Sequence, residues 1–183
     1  MKTKFLQLKF IILLAAFMSA FIITAHAQDK IKVIGNRPRS GSANSSFAVV
    51  KGNQTGIKIN AGRKPVQLLQ LNFDAESMGS DSLKFKVNVY EFNYVAPGEN
   101  LVKQPIVGAI TKGKNRVSVN LAPYNIVAKG RILVTVEWLK SSPADNHFAI
   151  GLFNGGTYCY EDGRWKKIPV AGVDYNLRVK KVI

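Results

Sequence analysis

The residues of this 183-residue chain whose types and spacing could do chemistry are few. Tyr158, Tyr160 and Trp165 lie close together around a turn, with Arg164, Lys166 and Lys167 interleaved. Sugar C–H faces stack on rings, and basic groups hold carboxylate or phosphate substituents, so this set could form a glycan platform. Rings also fill cores, and the sequence leaves both readings open. Tyr90, Phe92 and Tyr94, at the end of an alternating stretch, form a second and poorer aromatic candidate.

Catalytic groups are harder to find. His147 is the only histidine after residue 27, which excludes a histidine-based metal cluster and makes any Ser/His/Asp or Cys/His device depend on it. It sits at a loop-to-strand junction and reads as a solvated or locally hydrogen-bonded imidazole. No G-x-S-x-G, H-E-x-x-H or P-loop is present. The acids fall mainly in loops, apart from Glu137, mid-strand beside Trp138. A glycosidase needs two carboxylates across a cleft; Glu137 reads instead as an outward residue paired with a cross-strand cation. Asp74, Glu76 and Asp81 could offer oxygens to calcium, but their spacing fits no calcium-loop template. The expectation is a protein with no catalytic residues, no metal site and no cofactor. Cys159 is the sole cysteine, so an intrachain disulfide is excluded, and its setting in Thr157-Tyr158-Cys159-Tyr160 suggests a small buried hydrophobe.

Charge points to partners only in general terms. Residues 28–183 carry 23 basic and 11 acidic side chains, a net of +12. Such a field attracts polyanions without choosing among an anionic glycan, lipopolysaccharide, an acidic protein and nucleic acid. Nucleic acid is disfavoured, because the chain reads as exported and carries no nucleic-acid motif. Lys112, Lys114 and Arg116, and again Arg178, Lys180 and Lys181, recur at spacings that share strand faces. Each set reads as the solvated side of an edge strand guarded against aggregation.

The elements that must position these residues follow from periodicity. Lys2, Lys4 and Lys9 precede an apolar run from Phe10 to Ile23 and then Thr24-Ala25-His26-Ala27, the pattern of a cleaved signal peptide over residues 1–27. That run is 14 residues long, short of the roughly 20 that span a membrane, so no transmembrane helix is expected in the mature chain. No cysteine stands at the cleavage site for a lipid anchor. The protein is therefore expected in the periplasm, at the cell surface or secreted. Residues 28–45 read as an extended segment and linker, rich in Gly, Ser, Asn and Pro.

From residue 46 to 183 the period is 2. Leu83, Phe85, Val87 and Val89 alternate with polar neighbours, as do Leu69, Leu71 and Phe73, then Val117, Val119 and Leu121, then Ile132, Val134, Val136 and Trp138. These are half-buried antiparallel strands. Further strands are expected at Thr55–Asn60, His147–Phe153, Thr157–Glu161 and Tyr175–Lys180, and one helical turn fits near Asp74–Met78. Connectors such as Ala96-Pro97-Gly98-Glu99-Asn100 and Asn154-Gly155-Gly156 supply turn residues. About nine short strands at this spacing predict an all-β, antiparallel sandwich of jelly-roll type.

An ordered set of motifs also resembles a known domain. They are Lys51-Gly52-Asn53-Gln54-Thr55-Gly56, Asp81-Ser82-Leu83-Lys84-Phe85-Lys86-Val87-Asn88-Val89-Tyr90 and Pro97-Gly98-Glu99-Asn100-Leu101. Leu121-Ala122-Pro123-Tyr124-Asn125-Ile126, Val136-Glu137-Trp138, Gly156-Thr157-Tyr158 and Trp165-Lys166-Lys167-Ile168-Pro169 continue the series. Together they resemble a β-sandwich domain of secreted and outer-membrane Bacteroidetes proteins that often follows a carboxypeptidase-regulatory-like domain. The resemblance implies export and a sandwich fold, with no catalytic residue to carry over. The preceding domain has no counterpart here beyond the short segment before Ser46. Function is then expected to be non-enzymatic: a glycan-binding module of the envelope, or a structural or assembly subunit for an envelope protein, with a hydrolase of unknown substrate third.

Overall fold

The structure, a computed structural model, describes residues 30–36, 43–93 and 95–182. The chain divides into two units, 1–30 and 31–183, and all the described strands belong to the second. The residues read as a signal peptide lie outside those described, as does Tyr94. In chain order the strands are β1 (Lys32–Gly35), β2 (Ala43–Ser46), β3 (Gln54–Ser77), β4 (Leu83–Asn93), β5 (Ala96–Asn100), β6 (Ile106–Ile110) and β7 (Gly113–Asn120). They continue as β8 (Val127–Trp138), β9 (Asn146–Leu152), β10 (Thr157–Glu161), β11 (Arg164–Ile168), β12 (Ala171–Val173) and β13 (Asn176–Lys181). All pair antiparallel. No described helix is long and apolar enough to cross a membrane.

The architecture turns on β3, whose 24 residues serve two layers. Residues 54–60 pair with β8 on one side, and 54–56 pair with β10 on the other. Register shifts around Gly62 then re-aim the strand, with Gly62 at φ 94 and its N–H donating to Asn60 Oδ1 at 3.0 Å. Beyond the bend, residues 66–72 pair with β13, 70–77 with β7 and 75–77 with β9. The front layer therefore runs β11, β10, β3, β8, β4, with β5 and β6 along the outer edge of β4. The back layer holds β1, β13, β3 and β7, extended by β9 with β2 and β12.

The expected alternation decides what lies between them. Ile57, Phe85, Val87, Val89, Val134, Val136 and Trp138 point inward from the front, and Leu71, Phe73, Phe148, Tyr175 and Leu177 from the back, in one buried cluster. Rings cross the gap: Phe73 meets Phe85 at 5.6 Å and Trp138 stacks on Phe148 at 5.8 Å. The result is the antiparallel β-sandwich that the periodicity predicted.

Several details depart from the sequence reading. Thirteen strands stand among the described residues instead of about nine. Residues 28–45 are not simply a linker, because β1 pairs with β13 and β2 with β9, so strands of the domain begin before Ser46. Asp74–Ser77 is strand, not a helical turn: Ala75 and Ser77 are small enough to face inward while Asp74 and Glu76 face out. Ala96–Asn100, expected as a connector, forms β5, an edge strand where Pro97 forfeits nothing. Leu69 is half-buried and Leu68 fully buried, reversing the predicted parity, because a bulge opposite Arg178 and Val179 leaves Leu69 unpaired in register.

Candidate ligand-binding face

The outward side of the front layer gathers the aromatic and polar residues singled out above. Strand register sets them in rows. Trp165, Tyr160, Gln54, Glu137 and Lys86 lie opposite one another across β11, β10, β3, β8 and β4. The next row is Lys167, Tyr158, Gly56, Thr135 and Asn88, and Lys58, Leu133, Tyr90 and Asn100 follow. Side chains two residues apart on one strand share a face, which is why Tyr158 and Tyr160 point out while Cys159 points in.

Trp165 contacts Tyr90 edge-on, with ring centroids 5.9 Å apart. On a flat sheet their strands would be four spacings apart, about 19 Å, more than the two side chains can span. The front layer must therefore curl toward its outward side, carrying the β10–β11 hairpin over the middle of the sheet. Tyr160 packs on Trp165 at 5.2 Å, and Phe92 on Tyr158 at 5.3 Å. Phe92, Leu133 and Tyr158 make a small second core, against which Tyr90 and Trp165 are only partly buried. Lys167 sits over the Tyr158 ring at 5.8 Å and Lys58 over Phe92 at 5.3 Å.

A polar network lies in the curve. Gln54 Oε1 accepts from Thr135 Oγ1 at 2.8 Å, Tyr90 Oη at 3.1 Å and Asn88 Nδ2 at 3.3 Å. Asn88 Nδ2 also donates to Glu137 Oε2 at 2.8 Å, its Oδ1 accepts from Asn100 Nδ2 at 3.0 Å, and Lys86 Nζ lies 3.0 Å from Glu137 Oε2. Gln54 is 8% exposed, Asn88 2% and Thr135 0%. Burial raises the Tyr90 hydroxyl above its ordinary pKa, partly offset by its bond to Gln54. Burial likewise raises that of Tyr158. Glu137 is thus an outward residue held by a cross-strand lysine.

The sequence-predicted set is divided by the fold. Tyr158, Tyr160, Trp165 and Lys167 share the outward face, with Tyr158 buried as a support and Tyr160 and Trp165 half-exposed. Arg164 and Lys166 alternate onto the other face, where Lys166 Nζ reaches Glu161 Oε2 at 3.4 Å. Tyr90 and Phe92 join the first aromatic group, so two candidates from distant stretches form one cluster. Gln54, Asn88 and Thr135 were missed, since single polar residues in apolar strands carry no local signal. His147 Nε2 lies 3.3 Å from Asp145 Oδ2, Asp74 pairs with Arg116 and Asp81 with Lys140. Among the described residues no three His, Cys, Asp or Glu side chains are grouped to hold a metal.

Cys159 is buried and free, and burial, aided by Glu161, pushes its thiol up to about 11. It should be inert to a thiol reagent at pH 8 in the folded protein and react fully in denaturant; equal rates in both would place it at the surface. The unfolded thiol ionises near pH 9. Stability linked to this group is therefore intact below that pH and lost as pH rises through about 11. Buried Tyr175, also raised, acts in the same direction. Urea midpoints should fall from pH 9 to 11, less steeply in Cys159→Ala.

No protein-family model and no curated protein matches the chain. Solved structures do. A clostridial cysteine protease, Cwp84 after propeptide cleavage, aligns with TM-score 0.62 at 12% identity, over 83% of this chain and 40% of that one. The cysteine protease and lectin-like domains of Cwp84, a surface layer associated protein of Clostridium difficile, align with TM-score 0.54 at 12% identity, over 79% and 37%. At such identity the likeness is one of fold, and this chain spans well under half the length of either. A looser likeness, TM-score 0.35 at 12% identity over 74% of this chain and 84% of that one, is to a CBM61 module in complex with beta-1,4-galactotriose.

Proposed function

We propose that this protein is an exported, non-catalytic binding module of the bacterial cell envelope that takes a glycan on the outward face of its front layer. The observation that carries the reading is the contact between Trp165 and Tyr90, which bends the sheet into a trough. Half-exposed rings line its rim, and a fixed hydrogen-bonding network lies beneath. Trp165, Tyr160 and Tyr90 would stack on sugar faces, while Lys167 and the Lys86–Glu137 pair would meet hydroxyl or acidic substituents. Tyr158 and Phe92 would hold the rings in place. The net positive charge favours acidic glycans among those that fit.

The test is a binding screen of the purified protein against neutral and acidic polysaccharides and lipopolysaccharide at low and high salt. Saturable binding that survives high salt is expected, because charge attraction alone is screened. Trp165→Ala should weaken it at least about a hundredfold, as loss of a central aromatic anchor does, with the far-ultraviolet circular dichroism unchanged. Lys166→Ala, on the other face, should bind as the parent does. Failure to bind any glycan, with an envelope protein captured by cross-linking instead, would favour the assembly-subunit reading.

A further inference from the structure

The back layer turns a second polar face to solvent, and the two basic stripes of the sequence meet there. Across β13, β3 and β7, Arg178 lies opposite Gln70, Asn176 and Ser118 lie on either side of Asn72, and Arg116 lies opposite Asp74. Gln70, Asn72, Arg116, Ser118, Asn176 and Arg178 line one depression of about 640 Å3. Its floor is a ladder of hydrogen bonds: Ser118 Oγ donates to Asn72 Oδ1 at 2.8 Å, and Asn72 Nδ2 donates to Asn176 Oδ1 at 3.2 Å. The ladder stops at Asn176, which is 4% exposed and whose Nδ2 has no protein partner. That amide is enclosed beneath the surface and belongs to the floor, so the polar groups open to a ligand are the two arginines, Gln70 and Ser118.

The arginines say what kind of ligand would suit the depression. Arg178 Nη1 donates to Gln70 at 3.2 Å and Arg116 Nη1 to Asp74 at 3.1 Å. A guanidinium has five N–H donors, so each keeps several for a ligand. The two are separated by two strand spacings, about 9.6 Å, and by four residues along β3, about 13 Å. One small anion cannot engage both, whereas an extended chain with repeated acidic groups can. Edge protection does not account for the pair, because Arg178 stands on β13, enclosed between β1 and β3. The floor is amide and hydroxyl with no ring, which suits a hydroxyl-rich backbone laid flat.

We propose that this face is a second site, separate from the aromatic trough, for a carboxylate-bearing polysaccharide. The carboxylates would pair with Arg116 and Arg178, and sugar hydroxyls would meet the Ser118 hydroxyl and the Gln70 amide. The test is calorimetric titration of the purified protein with oligogalacturonate and with its methyl-esterified form at physiological salt. The acidic oligomer should bind and the esterified one should not. Arg116→Gln and Arg178→Gln should each weaken binding about tenfold or more, the loss of one charge-assisted pair. Lys84→Gln, which removes an equal charge from the front layer, should change nothing. Absence of binding would overturn the proposal, as would equal binding of the ester or equal losses in Lys84→Gln and the arginine variants. Binding lost in Trp165→Ala but kept in the arginine variants would also overturn it, assigning the acidic oligomer to the trough instead.

Discussion

Gly56→Ala is expected to destabilise the domain by about 3 kcal/mol, the upper end of ordinary overpacking, or to prevent folding altogether. Gly56 lies near the start of β3, paired on both sides, with Thr135 of β8 and Tyr158 of β10. A methyl group there would overlap the Val134 carbonyl oxygen and lie 2.7 Å from both Cα and Cγ2 of Thr135. Two of these three atoms are backbone, so no change of rotamer relieves the clash; β3 and β8 would have to part at the centre of the front layer. Gly79→Ala is the control, because the nearest atom to a methyl there is the Ala144 side chain at 3.4 Å. Its effect should stay within about 0.5 kcal/mol. Urea unfolding followed by tryptophan fluorescence measures both. A Gly56→Ala protein as stable as the parent would mean that the two strands can separate locally without loss. The same glycine matters to the polar network, since a methyl group there would press on the Thr135 side chain that donates to Gln54.

The core was legible because burial on one face imposes a period that survives in the residues themselves. Phe85, Val87 and Val89, and Val134, Val136 and Trp138, all lie where alternation placed them, between the layers. Alternation fails where a bulge adds a residue, and a bulge depends on the partner strand, so nothing in Leu68 and Leu69 alone reveals their exchange of roles. Edge strands were missed for a related reason: β5 is built from turn residues, and Asn100 Oδ1 there accepts from the backbone of Val89 and Val102. The candidate site was legible only by parts. Two aromatic groups, near residues 90 and 160, were visible as separate features, but that they meet depends on the curl of five strands. The outward parity of Lys167, and the inward parity of Arg164 and Lys166, needed only the register of one hairpin. The basic stripes were likewise visible, but their shared face required the topology that sets β7 and β13 on either side of β3.

Gln54→Ala is expected to cost about 2–3 kcal/mol, the penalty for stranding buried donors, although it removes no apolar contact of the main core. The loss arises from one oxygen with three donors. Asn88 keeps Glu137 as an acceptor, and the half-buried Tyr90 can turn its hydroxyl to water, but Thr135 is fully buried and its hydroxyl bonds to Gln54 alone among the described residues. Thr135→Val should therefore rescue part of the damage. Alone it forfeits one of three bonds to Gln54; combined with Gln54→Ala it removes the stranded hydroxyl. The double variant should be more stable than the sum of single effects by about 1 kcal/mol, the size of coupling expected between bonded neighbours. Strict additivity would show that Thr135 finds another acceptor. The network also bears on the trough, because Gln54 fixes the hydroxyl of Tyr90, and Tyr90 is what Trp165 closes against. Gln54→Ala should thus weaken glycan binding without touching the ligand, and Tyr90→Phe, which keeps the ring and loses the hydroxyl, should reproduce the smaller part of that loss. If Tyr90→Phe binds as the parent does while Gln54→Ala does not, the curvature of the sheet, rather than the orientation of one ring, is what the network maintains.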